Sequence, residues 1–218
     1  MYIPNEEEFQ KVCDQRFSKD MYKLLKGSSV AIAGLGGLGS NIAVMLARSG
    51  IGKLLLVDFD TVELSNLNRQ VYDVRHIGMK KTEALASRLK EINPYIELET
   101  LDIKISEEQV YDIFYQYKYV CEAFDKAETK AMFVNSLLEK CKNTTVISGS
   151  GMAGYHDANN ICTRKLGRRL YICGDNKSDI EDGIGLMAPR VAICAGHEAN
   201  KVIELILKDK NIGGMENE

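Results

Sequence analysis

The chain has no long apolar run, no excess of basic charge, no CxxC pair and no internal repeat, and each absence removes a class of function. None of its 218 residues falls in a stretch approaching the roughly 20 apolar residues that a membrane-spanning helix needs. Lys and Arg number 28 against 31 Asp and Glu, a net charge of -3. That balance speaks against a broad nucleic-acid surface, which draws on clustered cations, while leaving room for a local basic pocket. "MYIPNEEEFQ" is acidic and lacks the apolar core of a signal or transit peptide. The expectation is a cytoplasmic protein with no membrane partner. The six cysteines are scattered (Cys13, Cys121, Cys141, Cys162, Cys173, Cys194), as befits reduced, structural thiols. Cys162 and Cys173 are too isolated for a four-ligand site, and the histidines are only His76, His156 and His197, so no zinc is expected.

What is present is a strand–helix alternation in a chain that is 45% apolar and 27% charged, ordinary for a globular enzyme. "SSVAIAGLGGLGSNIAVMLARSGIGKLLLVDFD" reads as strand, glycine turn, helix and strand, with Leu38, Ile42, Met45 and Leu46 at helical spacing. Leu85, Leu89 and Ile92 mark a helix ended by Asn93-Pro94; "IELETLDI" alternates as a strand. Ser106 with Gln109 suggests a capping box before a helix carrying Val110, Ile113 and Phe114. "YKYVCEAF" and "NTTVISGS" read as strands around a helix marked by Ala127, Ala131, Val134 and Leu138. Helices between parallel strands imply a doubly wound, mostly parallel α/β sheet. Beyond residue 150 the pattern predicts a hairpin turning near Gly167, a polar mobile segment (174–185) and a closing helix with Pro189 near its start. The expected division is a helical arm (1–27), a nucleotide-binding unit (28–150), the hairpin, crossover loop and closing helix of the same domain (151–210), and a frayed tail (211–218).

"GLGGLG" carries a mechanism. Gly34 permits the tight turn, Gly36 lets backbone approach phosphate, and Gly39 allows close helix–strand packing. The following helix N-terminus offers N–H groups to an anion. Asp58 ends the next strand, where an acid accepts ribose hydroxyls. A nicotinamide dehydrogenase explains all of this, but not the polar residues downstream of Asp58. Asp60, Asn66, Asn68, Arg69 and Gln70, then Lys80 and Lys81, crowd the same strand tip. Singly they read as a capped surface turn and a solvated helix start; jointly they suit a triphosphate. Transfer at phosphorus builds charge that Arg, Lys or Mg²⁺ must stabilise. Asp125 ends another strand at that edge and suits a Mg²⁺ anchor, or an N-cap for the next helix.

"GLGGLGS", "VDFDTVELSNLNRQ", "HIGMKKTEA", "INP" and "EAFDKAETK" together resemble the ThiF/MoeB/HesA family, bacterial relatives of ubiquitin-activating (E1) enzymes. The chain is most similar to its short ThiF members, which act on the sulfur carrier ThiS. The resemblance implies a Rossmann-like fold, a homodimer, and ATP-dependent adenylylation of the C-terminal Gly carboxylate of a small ubiquitin-fold sulfur carrier, in the route to the thiazole of thiamine. By motif, Gly36 and Gly37 line the adenosine side and Asp58 holds ribose. Asn66, Arg69 and Lys81 face the phosphates, Gln70 supports them, and Asp125 is the magnesium-binding catalytic acid. An N-terminal Arg contributed by the partner subunit corresponds to Arg16.

The chain departs from that pattern where relatives carry two zinc-binding CxxC pairs, and where Lys126 stands in place of an Asn after the acid. Relatives with a reactive cysteine in the crossover loop leave Cys173, at its edge, as the nearest candidate; a buried hairpin cysteine is the plainer reading. Competing functions are an NAD-linked oxidoreductase, an E1-like tRNA-modifying dehydratase, and a carrier-binding scaffold without activity.

Overall fold

The computed structural model describes residues 2–179 and 183–209. All of the frayed tail expected at 211–218, and residues 180–182 in the middle of the crossover loop, lie outside the described residues. Two helices come first, α1 (Glu6–Phe17) and α2 (Lys19–Lys26). The alternation comes next: β1 (Ser29–Ala33), α3 (Gly37–Arg48), β2 (Lys53–Asp58), α4 (Lys81–Ile92), β3 (Glu97–Asp102), α5 (Gln109–Phe114), β4 (Tyr119–Glu122), α6 (Ala127–Lys140) and β5 (Thr145–Gly149). A hairpin, β6 (Cys162–Leu166) and β7 (Leu170–Gly174), and the long helix α7 (Ala188–Lys208) complete the described fold.

All seven strands form one sheet in the order β3-β2-β1-β4-β5-β7-β6. Among the described strands only the β6–β7 pairing is antiparallel; β7 also joins β5 in parallel, so the hairpin extends the main sheet. Gly167 turns it, with φ of +68°. Alternate residues of each strand point to opposite faces. Val30 and Ile32 of β1 join the core under α3, α4 and α7, whereas Ala31 and Ala33 join the core under α5 and α6. Strand order reverses between β1 and β4. In an open α/β sheet that is where a crevice forms beyond the strands' C-terminal ends.

Local expectations held unevenly. Gln109 Oε1 accepts the Ser106 N–H at 3.0 Å, yet α5 begins at Gln109 with no side-chain cap. The Ser106 box closes a turn ahead of the helix rather than its first turn. In α6 the buried residues are Phe133, Ser136 and Leu137, while Ala127 and Ala131 face solvent. The bulk of Phe133, stacked edge-on with Phe114 and Phe124, sets that helix's rotation. The polar segment after Gly174 starts anchored, not loose. Arg190 of α7, buried, holds Asp175 at 2.6 Å and donates to the carbonyls of Ala153, His156 and Asp157. Burial pushes the Asp175 carboxyl up, but the Ser178 and Lys177 N–H groups, with Arg190, bring it below its usual value.

The face of α7 against α3 buries Val191, Cys194, Ala195 and Val202, and also Glu198, which is 0% exposed. Neither Glu198 oxygen has a hydrogen-bond partner. Burial, countered by Lys130 and reinforced by Glu122, raises its carboxyl well above 4.5. The folded state therefore holds this proton over a pH range where the unfolded chain has lost it. Its stabilising contribution is complete below the unfolded value and declines as pH rises above about 4.5, by up to about 1.4 kcal/mol per pH unit. Glu198→Gln is expected to remove that decline: urea midpoints should separate in the variant's favour from slightly acid to slightly alkaline pH, and a constant difference between the two proteins would contradict the assignment.

Candidate functional site

Four segments meet at the crevice between β1 and β4. The first is the glycine turn. Gly34 has φ of +89°, and a Cβ there would lie 2.7 Å from the Ala123 carbonyl oxygen and 3.1 Å from Phe124 N. The exits of β1 and β4 thus nearly touch. A Cβ on Gly39 would lie 1.8 Å from Gly34 O, so α3 sits as tightly on the turn as backbone allows. Gly36 occupies the N-cap of α3, and no side chain caps it. The first N–H groups of α3 are left for an anion.

The second segment is the end of β2. Asp58, 7% exposed, accepts the Leu35 N–H on Oδ2 at 2.6 Å and the Asp60 N–H on Oδ1 at 2.9 Å. One carboxylate pins the glycine turn to the strand exit, with lone pairs to spare for a ribose. Tyr72 donates its hydroxyl to Leu35 O at 2.9 Å; burial, then the Asp58 and Asp60 charges, push the phenol well above its ordinary value and keep it a donor.

The third segment is the polar loop. Asn66 Oδ1 accepts the Glu63 N–H and its carbonyl accepts those of Arg69 and Gln70, so Asn66 builds the turn that delivers both side chains. Arg69 Cγ and Cδ lie 3.6 and 3.7 Å from the place a Gly37 Cβ would take, and Gln70 Nε2 lies 3.8 Å from that of Gly36. Arg69 donates to Ser65 O and to Asn68 Oδ1. Arg69 Nε and Gln70 Oε1 are buried without partners, an unsatisfied pair beside an uncapped helix start. Asn68 Nδ2 also reaches Leu186 O at 3.3 Å, tying this loop to the entry of α7. Lys81, 6% exposed, pairs with Asp60 at 2.7 Å. Lys80 instead turns outward to Asp102.

The fourth is the bend after β4. Asp125 is exposed and does not cap α6: Lys126 holds the N-cap position, with no side-chain cap. Asp125 comes directly after the two residues that abut Gly34, which places its bend at the crevice.

Two candidates fall elsewhere. Arg16 is exposed on α1, whose contacts run to Lys26 and to Tyr95, ahead of β3. That is the opposite sheet edge, so the fold does not bring Arg16 to its own chain's crevice. Cys173 is 0% exposed, and burial, then Glu198, push its thiol up to about 12. The thiolate needed for covalent chemistry is scarce near neutral pH. Iodoacetamide near neutral pH is expected to label the half-buried Cys13 and Cys162 and to spare Cys121, Cys173 and Cys194; peptide masses showing modified Cys173 would reverse that reading. Cys194 and His197 are packing residues, with His197 Nδ1 3.1 Å from Thr163 Oγ1. Among the described residues no three His, Cys, Asp or Glu cluster as a metal centre, and no helix is long and apolar enough to cross a membrane.

Sequence reasoning missed Ser40, Asn41 and Tyr72. Ser40 Oγ donates to Gly36 O and accepts the Val71 N–H; Asn41 Nδ2 bridges the carbonyls of Gly37 and Arg69. Their signal was position: two come directly after the glycines and one trails Gln70 by two.

This geometry has close counterparts. The chain is 36% identical over 207 residues to the molybdopterin-synthase adenylyltransferase of Haemophilus influenzae, covering 89% of this chain and 82% of that one. It is 35% identical over 158 residues to the tRNA threonylcarbamoyladenosine dehydratase of the same organism, covering 71% of this chain but only 59% of that one. The E. coli tRNA threonylcarbamoyladenosine dehydratase, solved in complex with ATP, superposes with a TM-score of 0.84 at 20% identity, covering 96% and 98% of the two chains; at that identity it shows the fold, which is the Rossmann-like one expected. The ThiF family model matches residues 10–217. The chain belongs to the ThiF family, the E1-like adenylyltransferases.

Proposed function

We propose that the protein uses ATP to adenylylate the C-terminal Gly carboxylate of a small ubiquitin-fold sulfur carrier of the ThiS kind, in thiamine thiazole formation, releasing pyrophosphate. The observation that carries this reading is the Arg69 guanidinium stem packed on Gly37 at the uncapped start of α3. Two sources of positive potential at one point suit an anion more highly charged than a dinucleotide bridge. An NAD-linked oxidoreductase leaves Arg69, Lys81 and Asp125 without a task.

A carboxylate is a weak nucleophile and is repelled by a triphosphate. Holding both in line supplies orientation. Asp58 and the glycine turn hold the nucleoside end. Arg69 stabilises charge building on phosphate, and Lys81 does so by exchanging Asp60 for a phosphate oxygen. Asp125, exposed at the crevice, fits Mg²⁺, which takes one or two carboxylates together with substrate phosphates; bound there it supplies charge neutralisation at the triphosphate. Arg16, remote from its own crevice, serves the nucleotide of a second copy in a homodimer, and a mixture of Arg16→Ala and Asp125→Ala copies should then recover activity that neither has alone.

The experiment mixes protein, Mg-ATP and carriers ending in Gly-Gly, and tracks by mass spectrometry the gain of one adenylyl group. A parallel arm offers tRNA bearing threonylcarbamoyladenosine. The likeness to dehydratases makes that the second reading; turnover of the tRNA with no carrier modified would replace the first by it.

A further inference from the structure

Glu122, the last residue of β4, is wholly buried and takes no part in nucleotide or carrier binding as assigned to the crevice. Its carboxylate is fully engaged. Oε1 accepts the Phe124 N–H at 2.7 Å, and Oε2 accepts from Lys130 Nζ at 2.6 Å and from Ser148 Oγ at 2.5 Å. Lys130 stands on the first turns of α6 and Ser148 on β5, so one carboxylate ties β4, β5 and α6 together. Desolvating such a pair is expensive, and packed apolar residues would stabilise a fold as well or better. A reason in geometry is called for. The bond to Phe124 N–H supplies one: the Ala123–Phe124 backbone abuts Gly34, and the next residue is Asp125, whose side chain caps nothing. The bend, not the side chain's own bonds, decides where that carboxylate stands.

We propose that Glu122, clamped by Lys130 and Ser148, is the positioning residue that sets the Asp125 carboxylate at the glycine turn. This rests on the adenylylation reading. Glu122→Gln keeps the side chain's shape and one acceptor for Phe124 but gives up the charge that holds Lys130.

In carrier adenylylation, Glu122→Gln is expected to lower kcat by about 100-fold, the scale of a misplacement near 1 Å, with KM for Mg-ATP rising by no more than the factor that Mg²⁺ adds to ATP affinity. In an Asp125→Ala background the same substitution should add less than about twofold, because both act through one carboxylate. An equal factor in both backgrounds, or a folded Glu122→Gln protein with wild-type kcat, overturns the proposal. If Glu122→Gln does not fold, Ser148→Ala removes one of the three partners and carries the same cycle at about fivefold. Calorimetric titration of ATP with and without Mg²⁺ reads Asp125 without any carrier: Glu122→Gln should lose most of the Mg²⁺-dependent gain in affinity, and full retention is decisive against it. If the wild-type protein modifies no carrier while Glu122→Gln still shows that loss, the adenylylation reading falls and the positioning role stands.

Discussion

Arg69→Ala should lower kcat/KM for carrier adenylylation by about 10²–10³, the usual effect of removing one donor aimed at developing charge, about 3–4 kcal/mol. The size comes from placement. The stem of Arg69 rests against Gly37, its Nη1 is steadied by Ser65 O and Asn68 Oδ1, and its Nε has no partner. The group is preorganised at the anion end of α3, so little reorganisation precedes the reaction. Arg69→Lys should recover only part of the loss, because an ammonium cannot keep the forked bonds that orient the guanidinium. Arg75→Ala is the control: Arg75 is 69% exposed and pairs with Asp73, and it should alter the rate by less than about twofold. Single-turnover release of pyrophosphate measures all three. An Arg69→Ala enzyme within tenfold of wild type would show that the guanidinium meets no phosphate.

Gly39→Ala should cost about 3 kcal/mol or more, and ATP binding with it. Gly39 does not have a positive φ, so the entire effect is steric. The new methyl would sit 1.8 Å from Gly34 O and 2.9 Å from Gly34 C. Both are backbone atoms of the turn, and neither can swing aside as a flexible side chain would. Relief requires lifting α3 off β1, which opens the packing of Ile32 and Leu38 and pulls the turn from Asp58. Overpacking usually costs about 1–3 kcal/mol, and a rigid backbone partner puts this case at the top of the range or beyond. Gly78→Ala separates the two kinds of glycine. Gly78 has φ of +86° but nothing within 4 Å of its would-be Cβ, so only the left-handed backbone is penalised, at about 1–2 kcal/mol. For a chain of this size the first loss corresponds to a fall in Tm of about 6–12 °C. Calorimetry with an ATP titration on each variant decides it; a Gly39→Ala protein as stable as Gly78→Ala would mean that the helix start tolerates more space than its atoms show.

The glycine turn, the acid ending β2, the loop with Arg69 and the strand–helix alternation were legible because each is a local requirement. A tight turn needs glycine within a few residues of where it occurs, and a strand tip carries its own polar residues. The join of β7 to β5, which makes the hairpin part of the main sheet, was not legible, since pairing across more than twenty residues leaves no local trace.

By itself, then, the order of residues determined that cations and carboxylates gather at the C-terminal ends of parallel strands beside a glycine turn. Tertiary packing decided how those charges are spent. It paired Lys81 with Asp60, gave Asp58 to the turn's backbone, and put Arg16 at the far edge of the sheet. It also sealed Cys173 in the core and closed Glu122 on Lys130. Charge at a distance is set by where helices come to rest, and that is chosen by the shape of buried side chains such as Phe133 and Leu38, not by the sequence spacing of the charges themselves.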